Sequence, residues 1–381
     1  MDQTEALIIE TIDRHREEIL EFARDIYSHA ELGYKEFQTS GKFVKKMEQL
    51  GLRTEKGFAI TGVKAYLNED KKENASLALL GELDALRIPE HAFANPETNA
   101  AHCCGHHAQM AGVFGAALAL TVPEIAEKLD GQVVFFATPA EEYGEIEFKN
   151  QLREQGKIRY GGGKCELLRI GAFDDIDLCL THHIRPGNEI LVGSGTGNGF
   201  VSKVIRVLGK ASHAAGAPEK GVNALSAASL GLQALGLNRE TFRDEDCVRV
   251  HPIITKGGNL VNVIPDEVVV ETLVRGKTIE AFTDAAKKTD RSFKAGAIAM
   301  GAKVEISTLP GYLPTLAEEA LPELKHAAEI SASGIPVIEA SGHAGGSTDV
   351  GDVQHLMPVY TFNTGGVKGG LHQIDFEVTD E

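Results

Sequence analysis

No run of apolar residues in this 381-residue chain is long enough to cross a bilayer. The first twenty residues, MDQTEALIIETIDRHREEIL, have neither the basic start nor the apolar core of a secretory signal. Basic charge is in deficit. The chain has 38 Lys and Arg against 55 Asp and Glu, a net charge of −17. Acidity of that size disfavours nonspecific binding to nucleic acid or to an anionic membrane. Cysteine is sparse and odd in number, at 103, 104, 165, 179 and 247. Two adjacent cysteines and an odd one over make a poor disulfide framework, so a reducing cytoplasm is the expected compartment. Internal repeats and low-complexity tracts are absent. So are the G-x-S-x-G nucleophile elbow and the Walker A loop. Cys103 and Cys104 lack the C-x-x-C spacing of a zinc or redox motif. The glycine-rich GSGTGNG at 193–199 lacks dinucleotide-binding spacing and reads as an interdomain hinge. GGGK at 161–164 reads as a plain loop.

What is present is a globular composition, 43% hydrophobic and 24% charged, in a chain long enough for two domains. Apolar side chains at helical spacing predict an amphipathic helix over 4–28. A second helix is expected over Glu36–Leu50, stopped by Gly51. Helical stretches then alternate with short apolar runs at Leu77–Leu80, Val133–Ala137, Leu178–Leu180 and Val359–Phe362. That alternation predicts an α/β fold with a mostly parallel central sheet covered by helices on both faces. Residues 199–308 differ. Strand candidates Val201–Leu208, Val248–Ile254, Val268–Val274 and Lys303–Thr308 are interleaved with helices over Gly221–Leu237 and Glu280–Met300. This β-α-β-β-α-β order is that of a ferredoxin-like α+β unit. One domain, 1–198 and 309–381, is thus interrupted by another at 199–308.

Each apolar run of the first domain ends in residues able to hold a metal. GELDAL carries Glu82 and Asp84. TPAEEYGE carries Glu141 and Glu142. THHIRPG carries His182 and His183, and NTGGVKGGLHQ carries His372. Between the first two runs lies HCCGHHAQ, with Cys104 and His106. Any one of these is unremarkable, since a Glu pair is usually a solvated face and a lone Cys a small buried hydrophobe. Together they sit where open α/β sheets bind ligands, beyond the carboxyl ends of the strands. Cys and His suit Zn, whereas His with carboxylate also suits Mn or Co. A paired-ion site needs a shared ligand, and a further carboxylate can serve as general base.

HAELGYKEF (29–37), GELDAL (81–86), HCCGHHAQ (102–109), PAEE (139–142), GKASHAAGAPEKGVNAL (209–225), GGNLVNVIPDE (257–267) and STDVGDV (347–353) occur in one order. In that order they resemble the amidohydrolase branch of the aminoacylase and carboxypeptidase superfamily of co-catalytic metallopeptidases. STDVGDV is most similar to the aminobenzoyl-glutamate hydrolase type. The resemblance implies a phosphorylase/hydrolase-like catalytic domain carrying a ferredoxin-like dimerisation or lid domain, and so a homodimer joined through 199–308. It implies two divalent ions per subunit, Zn or Mn, on Cys104, His106, Glu142, His183 and His372. Glu141 matches the general base, and Asp84 matches a carboxylate that orients a metal-binding histidine. His213 matches a histidine that reaches the partner subunit's site, and Asn262 and Arg275 match substrate-binding positions. The implied reaction is hydrolysis of the amide bond in an N-acyl or N-aroyl amino acid, such as aminobenzoyl-glutamate, by metal-activated water. A dipeptidase, a deacetylase or a catalytically silent binding homologue stays open. Three departures stand out. His107 replaces the usual Asp, Glu82 replaces the usual Asp or His two residues before Asp84, and the chain stops nine residues after His372, short of an expected helix.

Overall fold

A computed structural model describes residues 1–332 and 334–379. The chain divides into two compact units. The first comprises Met1–Gly195, Leu316–Gly342 and Asp352–Glu381, and the second Thr196–Thr315 and His343–Gly351. The first boundary falls inside the glycine-rich 193–199 stretch. The segment 343–351, which sequence places with the first domain, clusters with the second unit. Its strand His343–Ala344 pairs with Thr196–Gly197, and Asn198 N–H donates to the Gly346 carbonyl at 2.9 Å.

At the heart of the first unit four parallel strands lie side by side, in the order Gln132–Thr138, Ser76–Glu82, Leu178–Pro186 and Val359–Lys368. They contain the four apolar runs that the sequence marks as strands. Gln132–Thr138 is buried at every position, which its VVFFA core requires of a strand covered on both faces. Helix His106–Leu120 lies on this sheet and is itself almost wholly buried. Phe22, Ile26, Phe43 and Met47 from the N-terminal helices close the layer, with Phe22 edge-on to Phe114 at 5.1 Å between centroids. The helix expected over 4–28 is two helices, Gln3–Arg14 and Arg16–Ser28, broken at His15. Among the described residues the sheet continues past the parallel strands to nine. On one side a hairpin of Arg53–Phe58 and Gly62–Leu67 adds antiparallel strands that the sequence conceals. Arg53–Phe58 has no apolar run, and Gly62–Leu67 is interrupted by Lys64. Lys64 is nonetheless buried, with Nζ 2.5 Å from Asp175 Oδ1.

The second unit is a five-stranded antiparallel sheet. Glu267–Gly276 pairs with Gly199–Leu208, which pairs with Lys303–Pro310. On the far side of Glu267–Gly276 run two short pieces, Arg249–Val250 and Ile253–Lys256. Pro252, with no N–H to give the ladder, separates them. Val268, Val270 and Val274 alternate inward and pack with Ala227, Ala228, Ala285 and Phe293 from helices Ala224–Asn238 and Ile279–Ala299. This is the expected β-α-β-β-α-β unit.

The two helices approach so closely that a Cβ at Gly296 would lie 2.4 Å from the Ala227 carbonyl oxygen and 2.7 Å from Gly231 N. Gly296→Ala is expected to force them apart, at a cost of about 1–3 kcal/mol. Gly236→Ala, on a helix with nothing within 4 Å of its added carbon, should instead stabilise by roughly 0.5–1 kcal/mol. Urea unfolding of both variants checks the contrast, and equal midpoints would contradict the close crossing.

Candidate metal centre

Parallel strands end on the same edge, so the residues after each strand are gathered there. In register, Glu82 pairs with Thr138 and His183 with Asn363. The residues just beyond, Asp84, Glu141, Glu142 and His372, therefore collect along one line. Cys104 and His106 arrive from above, on the turn that starts helix His106–Leu120. Between them Gly105 has φ +98°, and a side chain there would meet Ile184 at 2.3 Å.

Cys104 Sγ lies 3.4 Å from His183 Nε2 and 3.3 Å from His372 Nε2. His372 Nε2 is in turn 3.1 Å from Glu142 Oε1, and His106 Nε2 is 3.1 Å from Glu82 Oε2. Potential ligand atoms within 4.8 Å of one another fall into three overlapping groups. These are Cys104 with His106 and His183, Cys104 with Glu142 and His372, and Glu82 with His106 and Glu141. Cys104 belongs to two of them. The histidines are aimed by backbone carbonyls. His106 Nδ1 lies 2.7 Å from the Asp84 carbonyl oxygen, and His183 Nδ1 2.7 Å from that of Ile184. An Nδ1–H donated to those carbonyls leaves each Nε2 with its lone pair facing the cluster. Asp84, fully buried, spreads its carboxylate over two backbone donors. Oδ1 accepts Glu141 N–H at 3.1 Å and Oδ2 accepts Glu142 N–H at 2.9 Å.

His106 Nε2 and Glu142 Oε1 are buried atoms without a hydrogen bond. A buried lone pair set against another acceptor, as His106 Nε2 is against Glu82 Oε2, is costly, and a divalent cation between them removes the cost. The donor set of thiol, imidazole and carboxylate fits such ions. Burial, with the negative charge of Glu142 next, pushes the Cys104 thiol well above its ordinary range. A bound cation reverses that and holds a thiolate. Burial alone would also raise the Glu82 carboxyl. Burial is the largest single influence, but Lys164, His106 and His183 together outweigh it and hold Glu82 at about 2. Lys164 is completely buried, with Nζ 2.6 Å from Glu82 Oε1. The sequence reading passes over it because GGGK reads as a loop. In fact the lysine begins helix Gly163–Arg169 and turns inward.

Not every nearby histidine joins the cluster. His107 packs against Tyr27 at 4.8 Å and His102 at 5.4 Å between centroids, and neither His107 nor His102 enters a ligand group. The remaining candidates lie in the second unit. His213 and Asn262 are brought together there, with Ala214 N–H on the Asn262 carbonyl at 2.9 Å. His213 Nδ1 accepts the N–H groups of Ala215 and Gly216 at 3.2 and 2.9 Å. Its proton therefore sits on Nε2, which makes the exposed ring a donor. Arg275 stands apart from that pair, near the end of strand Glu267–Gly276. Its Nη1 donates to Ser347 Oγ at 2.9 Å and its guanidinium lies 5.4 Å from the centre of the Phe200 ring. Ser347 opens the STDVGDV motif, which sequence alone leaves without a role.

Known proteins share this arrangement of chain. The mouse Xaa-Arg dipeptidase is 28% identical over 359 residues, covering 92% of this chain and 77% of that protein. One of the subunits of the Escherichia coli p-aminobenzoyl-glutamate hydrolase is 27% identical over 315 residues, covering 81% of this chain and 60% of its own length. Among solved structures, a Bacillus subtilis dinuclear metal-binding peptidase superposes with a TM-score of 0.65 at 23% identity, over 96% of this chain and 93% of that one. Residues 78–381, which carry every residue of the cluster, match Peptidase family M20/M25/M40, and the chain belongs to that family.

Proposed function

We propose that the chain hydrolyses the amide bond of an N-acyl or N-aroyl amino acid, or of a small peptide-like substrate such as aminobenzoyl-glutamate. The observation that carries this reading is Cys104, whose one sulfur belongs to two ligand groups while Glu141 sits with a third. Cys104, His106, His183, Glu142 and His372 would hold two divalent ions, Zn or Mn, which when bound polarise the scissile carbonyl and acidify water. Glu141 takes the proton of the attacking water and returns it to the leaving amine nitrogen. The water oxygen ends in the new carboxylate. Asp84, gripping both backbone N–H groups, keeps Glu141 from swinging as it changes charge. His213, with its proton on Nε2, donates to the carbonyl oxygen from a partner subunit, and Asn262 supports the substrate. The mouse and Escherichia coli relatives are named a Xaa-Arg dipeptidase and a p-aminobenzoyl-glutamate hydrolase subunit, and a substrate of that kind would offer an amino-acid carboxylate that Arg275 is suited to grip through two parallel hydrogen bonds.

The test is a panel of N-acyl amino acids, aminobenzoyl-glutamate and dipeptides, offered to chelator-treated protein reloaded with Mn or Zn separately. Amino-acid release is expected only after reloading, and silence with both ions would sink the proposal. Glu141→Gln should keep its bound ions and lose about three orders of magnitude or more in kcat, while Glu142→Ala should lose ion affinity first. Bound metal measured by mass spectrometry beside turnover separates the two.

Arg275 generates its own expectation. Amidating the substrate carboxylate and replacing Arg275 by Lys should each cost on the order of 2–4 kcal/mol in kcat/KM. The two losses should not add, since either one breaks the same pair. Fully additive losses in the double cycle would place the carboxylate elsewhere.

The dimer rests on the edge strand Ile253–Lys256, where Ile253 is 61% and Ile254 43% exposed. An apolar open edge is a surface for pairing with a second copy. Sedimentation at micromolar concentration is expected to give a dimer, and Ile253→Lys with Ile254→Lys a monomer. A wild-type monomer would rule out His213 acting across chains.

A further inference from the structure

The motif HAELGYKEF, residues 29–37, precedes the family-matched stretch and has no part in the chemistry above. It folds beneath the turn that carries Glu141 and Glu142. Ala85 N–H donates to the Glu31 carbonyl at 2.8 Å, and Leu32 bridges to Ala85, so the segment is tied to the Asp84 loop. Gly33 backs directly on Ala140, where an added Cβ would come within 3.1 Å of its Cα and Cβ. Glu36 then turns inward and is completely buried. Its Oε2 accepts the Thr61 hydroxyl at 2.6 Å, and its Oε1 accepts the Ala140 N–H at 2.8 Å.

Ala140 has φ +50°, in the left-handed region that a Cβ disfavours. That single twist sets the direction in which the next two residues leave the sheet. Three consecutive N–H groups, of Ala140, Glu141 and Glu142, converge on two buried carboxylates, Glu36 and Asp84. The Ala140 carbonyl is fixed as well, by Gly163 N–H at 3.0 Å. Burial, and next the charge of Asp84, push the Glu36 carboxyl up to about 7. An apolar side chain would fill the space without that cost. What it could not do is accept the Ala140 N–H.

We propose that Glu36 is a positioning residue for the metal centre: its grip on the Ala140 N–H holds the left-handed turn that aims Glu141 and Glu142. The proposal rests on the reading of Glu141 as base and Glu142 as ligand. Glu36 itself meets neither substrate nor ion.

Three variants separate reach from charge and from space-filling. Glu36→Gln keeps an acceptor oxygen at the same reach, and the Thr61 hydroxyl can turn to accept from the new amide. Glu36→Asp keeps the charge but is one methylene too short. Glu36→Leu fills the space and accepts nothing. Two readouts need no substrate. One is titration of the chelator-stripped chain with Mn²⁺, and the other is amide hydrogen exchange across 138–143. Glu36→Gln is expected within about threefold of wild type in both. Glu36→Asp and Glu36→Leu should weaken Mn²⁺ binding roughly 10–100-fold, as loss of an outer hydrogen-bond partner does, and speed exchange in that peptide. Adding Ala140→Gly should recover part of both losses, because glycine takes the left-handed turn without penalty. Turnover on the substrate panel should fall through kcat with little change in KM. Asp or Leu matching Gln would overturn the proposal. If Glu36→Leu does not fold, the Gln and Asp chains decide alone. A wild type that hydrolyses nothing sinks the Glu141 reading, and one that binds no Mn²⁺ leaves the exchange data to judge Glu36.

Discussion

Glu36, Glu82, Asp84 and Glu141 are all buried at one edge of one sheet, with Glu142 beside them. Negative charge so crowded and so dry would unfold the edge if each carboxylate lacked its own donors. Each carboxylate of the supporting layer has them. Lys164 neutralises Glu82, two backbone N–H groups hold Asp84, and Thr61 with the Ala140 N–H hold Glu36. Glu142 Oε1 is held by no such lysine or backbone N–H, and Glu142 lies with Cys104 and His372 in one ligand group. The supporting layer is thus satisfied by protein, and the inner layer is left for a cation. This division explains why the helices and loops around the edge are placed as they are. Helix Gly163–Arg169 delivers Lys164, segment 29–37 delivers Glu36, and the turn at Gly105 delivers the thiol.

Much of this was legible in the residues. Four apolar runs followed by ligand types led to four parallel strands because burial on both faces leaves an unmistakable hydrophobic signature. The two antiparallel strands Arg53–Phe58 and Gly62–Leu67 stayed hidden for the opposite reason. One is an edge strand carrying charge on half its positions, and the other buries a lysine whose partner, Asp175, is 111 residues away. Pairing at that distance leaves no local pattern. The same limit applies to the centre. Cys104, His106, Glu142, His183 and His372 announce themselves by chemistry and position after strands. Glu36 and Lys164 do not, since a glutamate before a helix and a lysine after three glycines look like solvent-facing charge. Only the fold reveals that both point inward. Arg275 is legible as a charged residue near a strand end, but its partner Ser347, which clusters with the same unit, is 72 residues away.

His107 shows how one departure from the pattern that the resemblance implies is absorbed. An Asp at that position would add a further anion behind an edge already crowded with carboxylates. The imidazole adds none. Burial, with the neighbouring His106 next, pushes His107 down to about 3, so it stays neutral across ordinary pH. Its ring packs against Tyr27 and His102 with Nδ1 buried and without a hydrogen bond, and the Tyr27 hydroxyl is pushed up to about 12, first by burial. The exchange of Asp for His therefore makes the layer behind Cys104 and His106 less negative and more aromatic. Glu82 is the other departure. The resemblance implies Asp or His there; against His, Glu82 adds an anion, and against Asp it adds none, and in either case the buried ammonium of Lys164 neutralises it at 2.6 Å. Each departure is contained by a neighbour that a reading of single motifs does not connect to it, Tyr27 for His107 and Lys164 for Glu82. A centre compensated in this way can keep its ligand geometry while charge behind it changes, provided that the carboxylates of Glu36 and Asp84 still hold the Ala140, Glu141 and Glu142 N–H groups.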